Sequence, residues 1–502
     1  MYKGFNIFPP HATDFYKTGH IKQYPAETRF VYSNFTCRAD KLAKVLGDVG
    51  GVRPFDHKTV FFGLQGVIQW LLIDSWKSEF FNRPWDSVVS KYKRRMDSSL
   101  GKDAVDVSHI KALWDLGYLP VLIKALPEGS RVDIRCPLFT IQNTHPDFYW
   151  VTNYLETQIS AEIWKPITTA TTAYEYRRLF SHYADVTGAP REFVQWQGHD
   201  FSYRGMSGIH DATSNGAAHL TCFTGTDTIS AIDYLEEYYD ANDGSIVGGS
   251  VPATEHSVMC MGGSDDEQET FRRLIMDTYP SGIVSIVSDT WDFWEVITGF
   301  TRKLKKEILN RDGKVVFRPD SGDPVKIICG DSTAPVDSPE YCGAVECLWQ
   351  VFGGTKTSKG YKVLDPHVGL IYGDSITLER ARTILQLLEA KGFASNNIVF
   401  GIGSFTYQYV TRDTFGSAIK ATAGIVGSEF RELYKDPKTD DGTKKSLRGF
   451  IRVEKEDGKF IVYDRQTEEQ EAAGLLAPVF MDGVLLRRQT LDNIRNLINE
   501  GK

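Results

Sequence analysis

The stretch Val368 to Ser404, VGLIYGDSITLERARTILQLLEAKGFASNNIVFGIGS, contains one full period of the fold. An apolar run, Val368 to Tyr372, is too short for a helix and stops at Gly373-Asp374-Ser375. From Thr377 to Lys391 the apolar residues Leu378, Ala381, Ile384, Leu385 and Leu388 recur at helical spacing, with Thr377 placed to cap the start and Gly392 to end the helix. A second apolar run, Asn397 to Phe400, then ends in Gly401-Ile402-Gly403-Ser404. Strand, helix and strand in this order predict parallel strands joined by a helical crossover.

The same period extends over residues 219 to 405. Further strands are expected at His219 to Phe223, Gly282 to Val287 and Lys314 to Phe317, with helices at Ile229 to Tyr239, Asp265 to Thr278 and Trp291 to Leu309. This pattern fits an α/β barrel or a doubly wound sheet. Asp227, Asp289, Asp320, Asp374 and Ser404 each follow an apolar run, at the end where the loops of an α/β barrel converge. One aspartate after a strand is ordinarily a cap or turn residue, but five polar residues at one end describe a site.

The flanks read differently. Short strands such as Phe30 to Tyr32 and Val121 to Lys124, aromatic-rich helices near Tyr149 to Leu155, and a hairpin of Phe450 to Val453 and Lys459 to Val462 about Asp457-Gly458 predict a second unit. The expected division is residues 1–200 together with 406–502 as a discontinuous α+β domain with dimer contacts, and 201–405 as the barrel. Gly330 to Gly360, rich in Ser, Gly, Thr and Pro, is expected to be a surface insertion.

Composition excludes several classes. The 502 residues are 41% apolar and 24% charged, ordinary for a globular protein, and the net charge of -8 offers no basic footprint for nucleic acid. The basic runs Lys91 to Arg95 and Lys444 to Arg448 are short and read as solvated surface. No apolar run approaches the roughly 18 residues of a spanning helix, so no membrane partner is expected. Seven scattered cysteines without a CxxC pair indicate neither a zinc ribbon nor a disulfide framework, which suits a cytoplasmic protein.

Several segments could bind phosphate or a sugar. Phe400 to Ser404 and Tyr372 to Ser375 are glycine-bearing strand ends where backbone N–H groups can approach a phosphate. In Phe317-Arg318-Pro319-Asp320-Ser321-Gly322-Asp323 a guanidinium can grip phosphate oxygens while a carboxylate accepts sugar hydroxyls or holds magnesium; an internal ion pair shaping the turn is equally compatible. Gly198-His199-Asp200-Phe201-Ser202-Tyr203-Arg204-Gly205 joins an aromatic platform to an arginine, and His256 lies beside Glu255 in Ser250 to Ser257.

Taken together these motifs resemble the type II phosphoribosyltransferases of the nicotinate phosphoribosyltransferase-like family, in particular its nicotinamide-using members. The likeness runs over almost the whole chain, through Asp14 to Lys17, His20, Gln23 to Pro25, Tyr149 to Thr157, His199 to Gly205, Gly225 to Thr228, Ser250 to Ser257, Val287 to Asp289, Arg318 to Gly322, Gly373-Asp374 and Thr411 to Asp413. It implies an irregular α/β barrel. It also implies transfer of phosphoribosyl from phosphoribosyl pyrophosphate to nicotinamide, giving nicotinamide mononucleotide and diphosphate in NAD salvage, with Mg2+ accompanying the sugar substrate and ATP stimulating through a phosphohistidine.

By the same likeness Arg204, His256 and Arg318 line the diphosphate, Asp320 holds ribose hydroxyls, and Gly373, Asp374, Gly403 and Ser404 surround the 5′-phosphate. Ser250 belongs to the substrate-binding set, and Asp289 stands beside His256, the residue matching the phosphohistidine. Arg412 and Lys420 would reach the phosphate from the second subunit of a homodimer, while Phe201 and a Tyr16 from that subunit would sandwich the pyridine ring. Asp227 meets the carboxamide, which a carboxylate can accept while repelling the carboxylate of nicotinate. No set of metal ligands is legible. Three departures stand out: Ser404 where vertebrate-type members have a second glycine, Phe15 in place of a small polar residue, and the composition of Gly330 to Gly360. The competing expectations are a nicotinate-using enzyme and a non-catalytic nucleotide binder on the same scaffold.

Overall fold

The computed structural model describes residues 7–41, 43, 55–241, 246–435 and 447–500; residues 1–6 and, in the second basic run, Lys444 to Ser446 lie outside them. Two sheets organise the chain. The first is parallel, with strands β1 (Gly198–Asp200), β2 (Gly225–Thr226), β3 (Ser281–Val287), β4 (Asp312–Arg318), β5 (Val368–Tyr372) and β6 (Val399–Ile402) in the spatial order β2-β1-β6-β5-β4-β3. Its edges are joined by residues 249–254. Gly249 bridges Gly225 in β2 and Ala253 bridges Ser285 in β3, with Thr226 N–H donating to Gly249 O at 3.0 Å and Ser285 N–H to Pro252 O at 2.8 Å. The result is the irregular α/β barrel expected from the sequence, closed by a stretch that is not itself a regular strand.

The helix after β5 forms as expected: Leu378–Ala390 is capped by the Thr377 hydroxyl, which accepts from Arg380 N–H, and buries Leu378, Ala381, Ile384, Leu385 and Leu388. Two expectations are corrected. His219 to Phe223 is not a strand, because Ile209–Leu220 is helical and His219 lies in its last turn. The short apolar run is the buried end of a helix, which periodicity alone does not separate from a strand; the strand is Gly225–Thr226, two residues long. Nor is Gly330 to Gly360 a surface insertion. Its helix Ala344–Phe352 buries Ala344, Val345, Cys347 and Leu348 in the barrel core, an amphipathic segment masked by the Gly and Pro around it.

The second sheet is antiparallel and has seven strands, with strands from both ends of the chain adjacent to one another: Ser417–Val426 pairs with Thr28–Cys37, and Ala477–Met481 with Val121–Ala125. The hairpin Phe450–Glu456 and Lys459–Gln466 turns at Asp457-Gly458 as the sequence indicates. A 32-residue helix, Glu156–Thr187, spans both cores, with Ile159, Ile163 and Ile167 in the core of the antiparallel sheet and Ala170 to Ala184 in that of the barrel. Among the described residues no helix is long and apolar enough to cross a membrane, and all seven cysteines are free.

Candidate active site

The carboxyl ends of the parallel strands open at one mouth. At the end of β1, the buried Asp200 holds two loops together: its Oδ1 accepts from Ser202 N–H at 2.9 Å and its Oδ2 from the Thr228 hydroxyl at 2.7 Å. Phe201, between them, is anchored by its N–H donating to Ile402 O in β6 at 3.0 Å. Its ring lies over Gly373 and Gly401, where an added Cβ would come within 2.5 Å and 2.2 Å of it. These glycines are required by the closeness of the aromatic platform, a reason separate from any phosphate contact. Gly205 likewise makes room for Ser404, since a Cβ there would be 2.1 Å from the Ser404 hydroxyl oxygen. Arg204 beside it is exposed and, among the described residues, has no partner.

Asp227 follows β2. His199 Nε2 lies 2.9 Å from its Oδ1, and the Ser250 hydroxyl donates to the same oxygen at 2.6 Å. Burial alone would raise this carboxyl, but the hydrogen bonds from His199 and Ser250 and the charge of Arg318 hold it below the ordinary aspartate value. The group is therefore an anion at neutral pH.

Beyond the closing stretch 249–254, β3 leads to Asp289, and β4 ends in Arg318 with Asp320 two residues on. Asp289 Oδ2 accepts from Asp320 N–H at 2.8 Å and the Ser321 hydroxyl at 2.6 Å, while its Oδ1 is buried without a hydrogen bond, 3.8 Å from His256 Nε2. The other nitrogen of His256, Nδ1, lies 3.2 Å from the Thr290 hydroxyl. Arg318 Nη2 donates to Thr254 O at 2.8 Å, but its Nε is buried and unpaired. A spare buried acceptor and a spare buried donor on adjacent loops fit a ligand bearing both a cation and an anion. Among the described residues no three His, Cys, Asp or Glu side chains converge as a metal cluster. A Mg2+ held mainly through substrate phosphate oxygens needs only one or two protein carboxylates, and Asp289 and Asp320 suit that mode.

A buried relay lies beneath the mouth. Gly225 O can only accept, so His219 Nε2 donates to it at 3.0 Å, and Nδ1 accepts from the Tyr407 hydroxyl at 2.7 Å. Burial lowers His219 to about 4, keeping the ring neutral as this pattern requires. Since Tyr407 lies in the helical turn that Gly403 caps, the relay ties the Gly403-Ser404 loop to the strand before Asp227. His199, His219 and Tyr407 are joined to the site only by tertiary contacts, and Asp200 acts as a bracket; of these, the sequence signal reached only the motif containing His199 and Asp200.

The structure thus gathers Phe201, Arg204, Asp227, Ser250, His256, Asp289, Arg318, Asp320, Gly373, Asp374, Gly403 and Ser404 around one mouth. Tyr16, Arg412 and Lys420 are elsewhere. Tyr16 is 61% exposed beside Lys17, whose Nζ is 2.7 Å from Glu156 Oε2, and Lys420 is 3.8 Å from the other oxygen of Glu156. Among the described residues Arg412 pairs only with Asp413, at 3.4 Å. Among the described residues no hydrogen bond or ion pair links these three to the mouth.

Comparison with known proteins agrees with this geometry. Residues 196–483 match the nicotinate phosphoribosyltransferase (NAPRTase) family. The chain is 61% identical over 497 residues to the nicotinamide phosphoribosyltransferase of Acinetobacter baylyi, covering 98% of this chain and 97% of that one. It is 39% identical to the nicotinamide phosphoribosyltransferase of Mycoplasma pneumoniae, covering 87% and 94%. Its fold is similar to a crystal structure of nicotinate-nucleotide pyrophosphorylase from Pyrococcus furiosus, with a TM-score of 0.55, 15% identity and coverage of 100% and 97%. The closed parallel barrel, the charged mouth and these matches together show that the chain belongs to the nicotinate phosphoribosyltransferase family.

Proposed function

We propose that the protein transfers a phosphoribosyl group from phosphoribosyl pyrophosphate to the ring nitrogen of nicotinamide, releasing diphosphate and giving the mononucleotide for NAD salvage. The observation that carries this reading is the anionic Asp227, held by His199 and Ser250 and kept charged in part by Arg318. A carboxylate accepts a hydrogen bond from an amide NH2 and repels a carboxylate, so it selects nicotinamide over nicotinate. Both named relatives above carry the same activity in their names.

The roles of the other residues follow from their chemistry. Arg318, with its spare Nε, together with Arg204 and His256 binds the diphosphate and stabilises the negative charge that grows on it as the glycosidic bond to the sugar breaks. Asp320, fixed through its backbone by Asp289, accepts ribose hydroxyls. Gly373, Asp374, Gly403 and Ser404 surround the 5′-phosphate. Bound Mg2+ would neutralise diphosphate charge, with Asp289 and Asp320 its protein contacts. His256 takes the γ-phosphoryl of ATP on a ring nitrogen, ADP departs, and hydrolysis of the phosphohistidine returns the free imidazole. Its exposure and the free Asp289 oxygen nearby support this role.

The exposed Tyr16, Arg412 and Lys420 support a homodimer in which each subunit completes the other's site, Tyr16 covering the pyridine ring opposite Phe201. The free cysteines support a cytoplasmic setting. The test is incubation of the purified protein with phosphoribosyl pyrophosphate, Mg2+ and either base, with and without ATP. Nicotinamide mononucleotide is the expected main product, increased by ATP in the wild type and unresponsive to ATP in His256→Ala; preferential formation of nicotinate mononucleotide would reject the reading.

A further inference from the structure

We infer that His199 is a positioning residue for base selection: it fixes the Asp227 carboxylate so that one oxygen is saturated and the other is presented to the base. The inference rests on the reading of Asp227 as the base-recognising group. His199 and Ser250 both donate to Oδ1, at 2.9 Å and 2.6 Å, and no described residue hydrogen-bonds Oδ2. An oxygen with two donors has little capacity left for a third, so the carboxamide NH2 is directed to Oδ2.

The two donors are not equivalent. The Ser250 hydroxyl is on an exposed residue of the irregular closing stretch, where it can rotate. His199 is 9% exposed and held on two sides. Its Nδ1 edge lies against the backbone of β2, where a Cβ on Gly225 would come within 2.7 Å, and its ring meets Phe201 edge-on with centroids 5.0 Å apart. The same imidazole therefore sets the orientation of the carboxylate and supports the ring platform over which the base would stack. Without it, Asp227 would keep one mobile donor and could turn away from the base. That turn weakens the bond to nicotinamide and relieves the repulsion of nicotinate, so the two effects combine in the ratio of the substrates.

The experiment measures kcat and KM for nicotinamide and nicotinate with the full-length wild type, His199→Leu, His199→Gln, Asp227→Ala and the double variant His199→Leu/Asp227→Ala. The Gln side chain places an N–H donor near the position of the imidazole Nε2, and Leu places none. Loss of a hydrogen bond to a charged group predicts that His199→Leu lowers the nicotinamide-to-nicotinate ratio of kcat/KM by about tenfold, mainly through KM for nicotinamide. His199→Gln should retain most of the ratio, and His199→Leu should have no further effect on it once Asp227 is Ala. If His199→Leu does not fold, His199→Asn, whose amide stops short of Asp227, replaces it. An equal loss for both bases, or an unchanged ratio in a variant where Asp227→Ala collapses it, overturns the inference and leaves the reading of Asp227 standing. An unchanged ratio in Asp227→Ala overturns that reading itself.

Discussion

The barrel mouth and the Tyr16–Lys420 region differ in how completely the single chain satisfies them. At the mouth each loop is tied to another: Asp200 to Thr228, Asp227 to His199 and Ser250, Asp289 to Asp320 and Ser321, and Gly205 to Ser404. What is left over is a buried donor on Arg318, a buried acceptor on Asp289 and the buried hydroxyl of Ser202. Beside the antiparallel sheet the buried Lys17 is paired with Glu156, while Tyr16 and Arg412 are exposed. The first region is organised for a ligand. The second is organised for a surface, and as proposed that surface is a second copy of the chain.

The largest effect should come from the mouth. Arg318→Ala or Asp320→Ala is expected to lower kcat/KM by about 100- to 1,000-fold, the usual loss when a preorganised charged group at a reacting centre is removed; a change within a few-fold would detach the mouth from the chemistry. Next comes Tyr16→Ala, for which loss of a stacking partner predicts about tenfold weaker use of nicotinamide. The contrast sharpens on mixing Asp320→Ala with Tyr16→Ala protein, each inactive or weak alone. Shared sites predict partial recovery, because some mixed dimers hold one site with both residues intact, whereas self-contained sites predict none.

Smaller effects probe the supports. Gly401→Ala brings a methyl within 2.2 Å of the Phe201 ring and 2.6 Å of Gly373 Cα, so it should raise KM for nicotinamide by about tenfold and also lower the denaturant midpoint. Tyr407→Phe leaves the buried His219 Nδ1 without its donor and should cost about 1–3 kcal/mol in denaturant unfolding. The pH dependence has a definite sign. His219 is lowered from its ordinary 6.5 to about 4 in the folded protein, so the unfolded chain binds the proton more readily between those values. The part of the stability that depends on His219 should be full above pH 6.5 and decline as the pH falls toward 4, and Tyr407→Phe should alter that decline.

The legibility of the site followed the same contrast. Asp289, Asp320 and Asp374 are legible because each comes two residues after a strand, Asp227 only by its nearness to an apolar run that proves helical, and the helix at Leu378–Ala390 because its apolar stripe, cap and terminating glycine agree. His219 to Phe223 reads as a strand yet forms the end of a helix, because a short buried apolar run has the same appearance in either conformation. The helix Ala344–Phe352 was hidden within a composition that suggests a loop, though its own spacing is amphipathic. Residues 249–254 carry no strand pattern at all, and they acquire a strand's role only by lying between β2 and β3.

Local order was therefore determined by the sequence itself: the alternation of strand and helix, the acidic and glycine-bearing strand ends, and the aromatic residue at Phe201. These depend on periodicity and backbone preference within a few residues. The tertiary structure alone decided which groups share an environment, because burial and hydrogen bonding between distant segments have no local signature. It placed His199 and Ser250 on one oxygen of Asp227, His219 between Tyr407 and Gly225, and Phe201 against two glycines from neighbouring strands. A carboxylate becomes selective only when its surroundings keep it charged and oriented, and for Asp227 those surroundings, His199, Ser250 and Arg318, come from three separate parts of the chain.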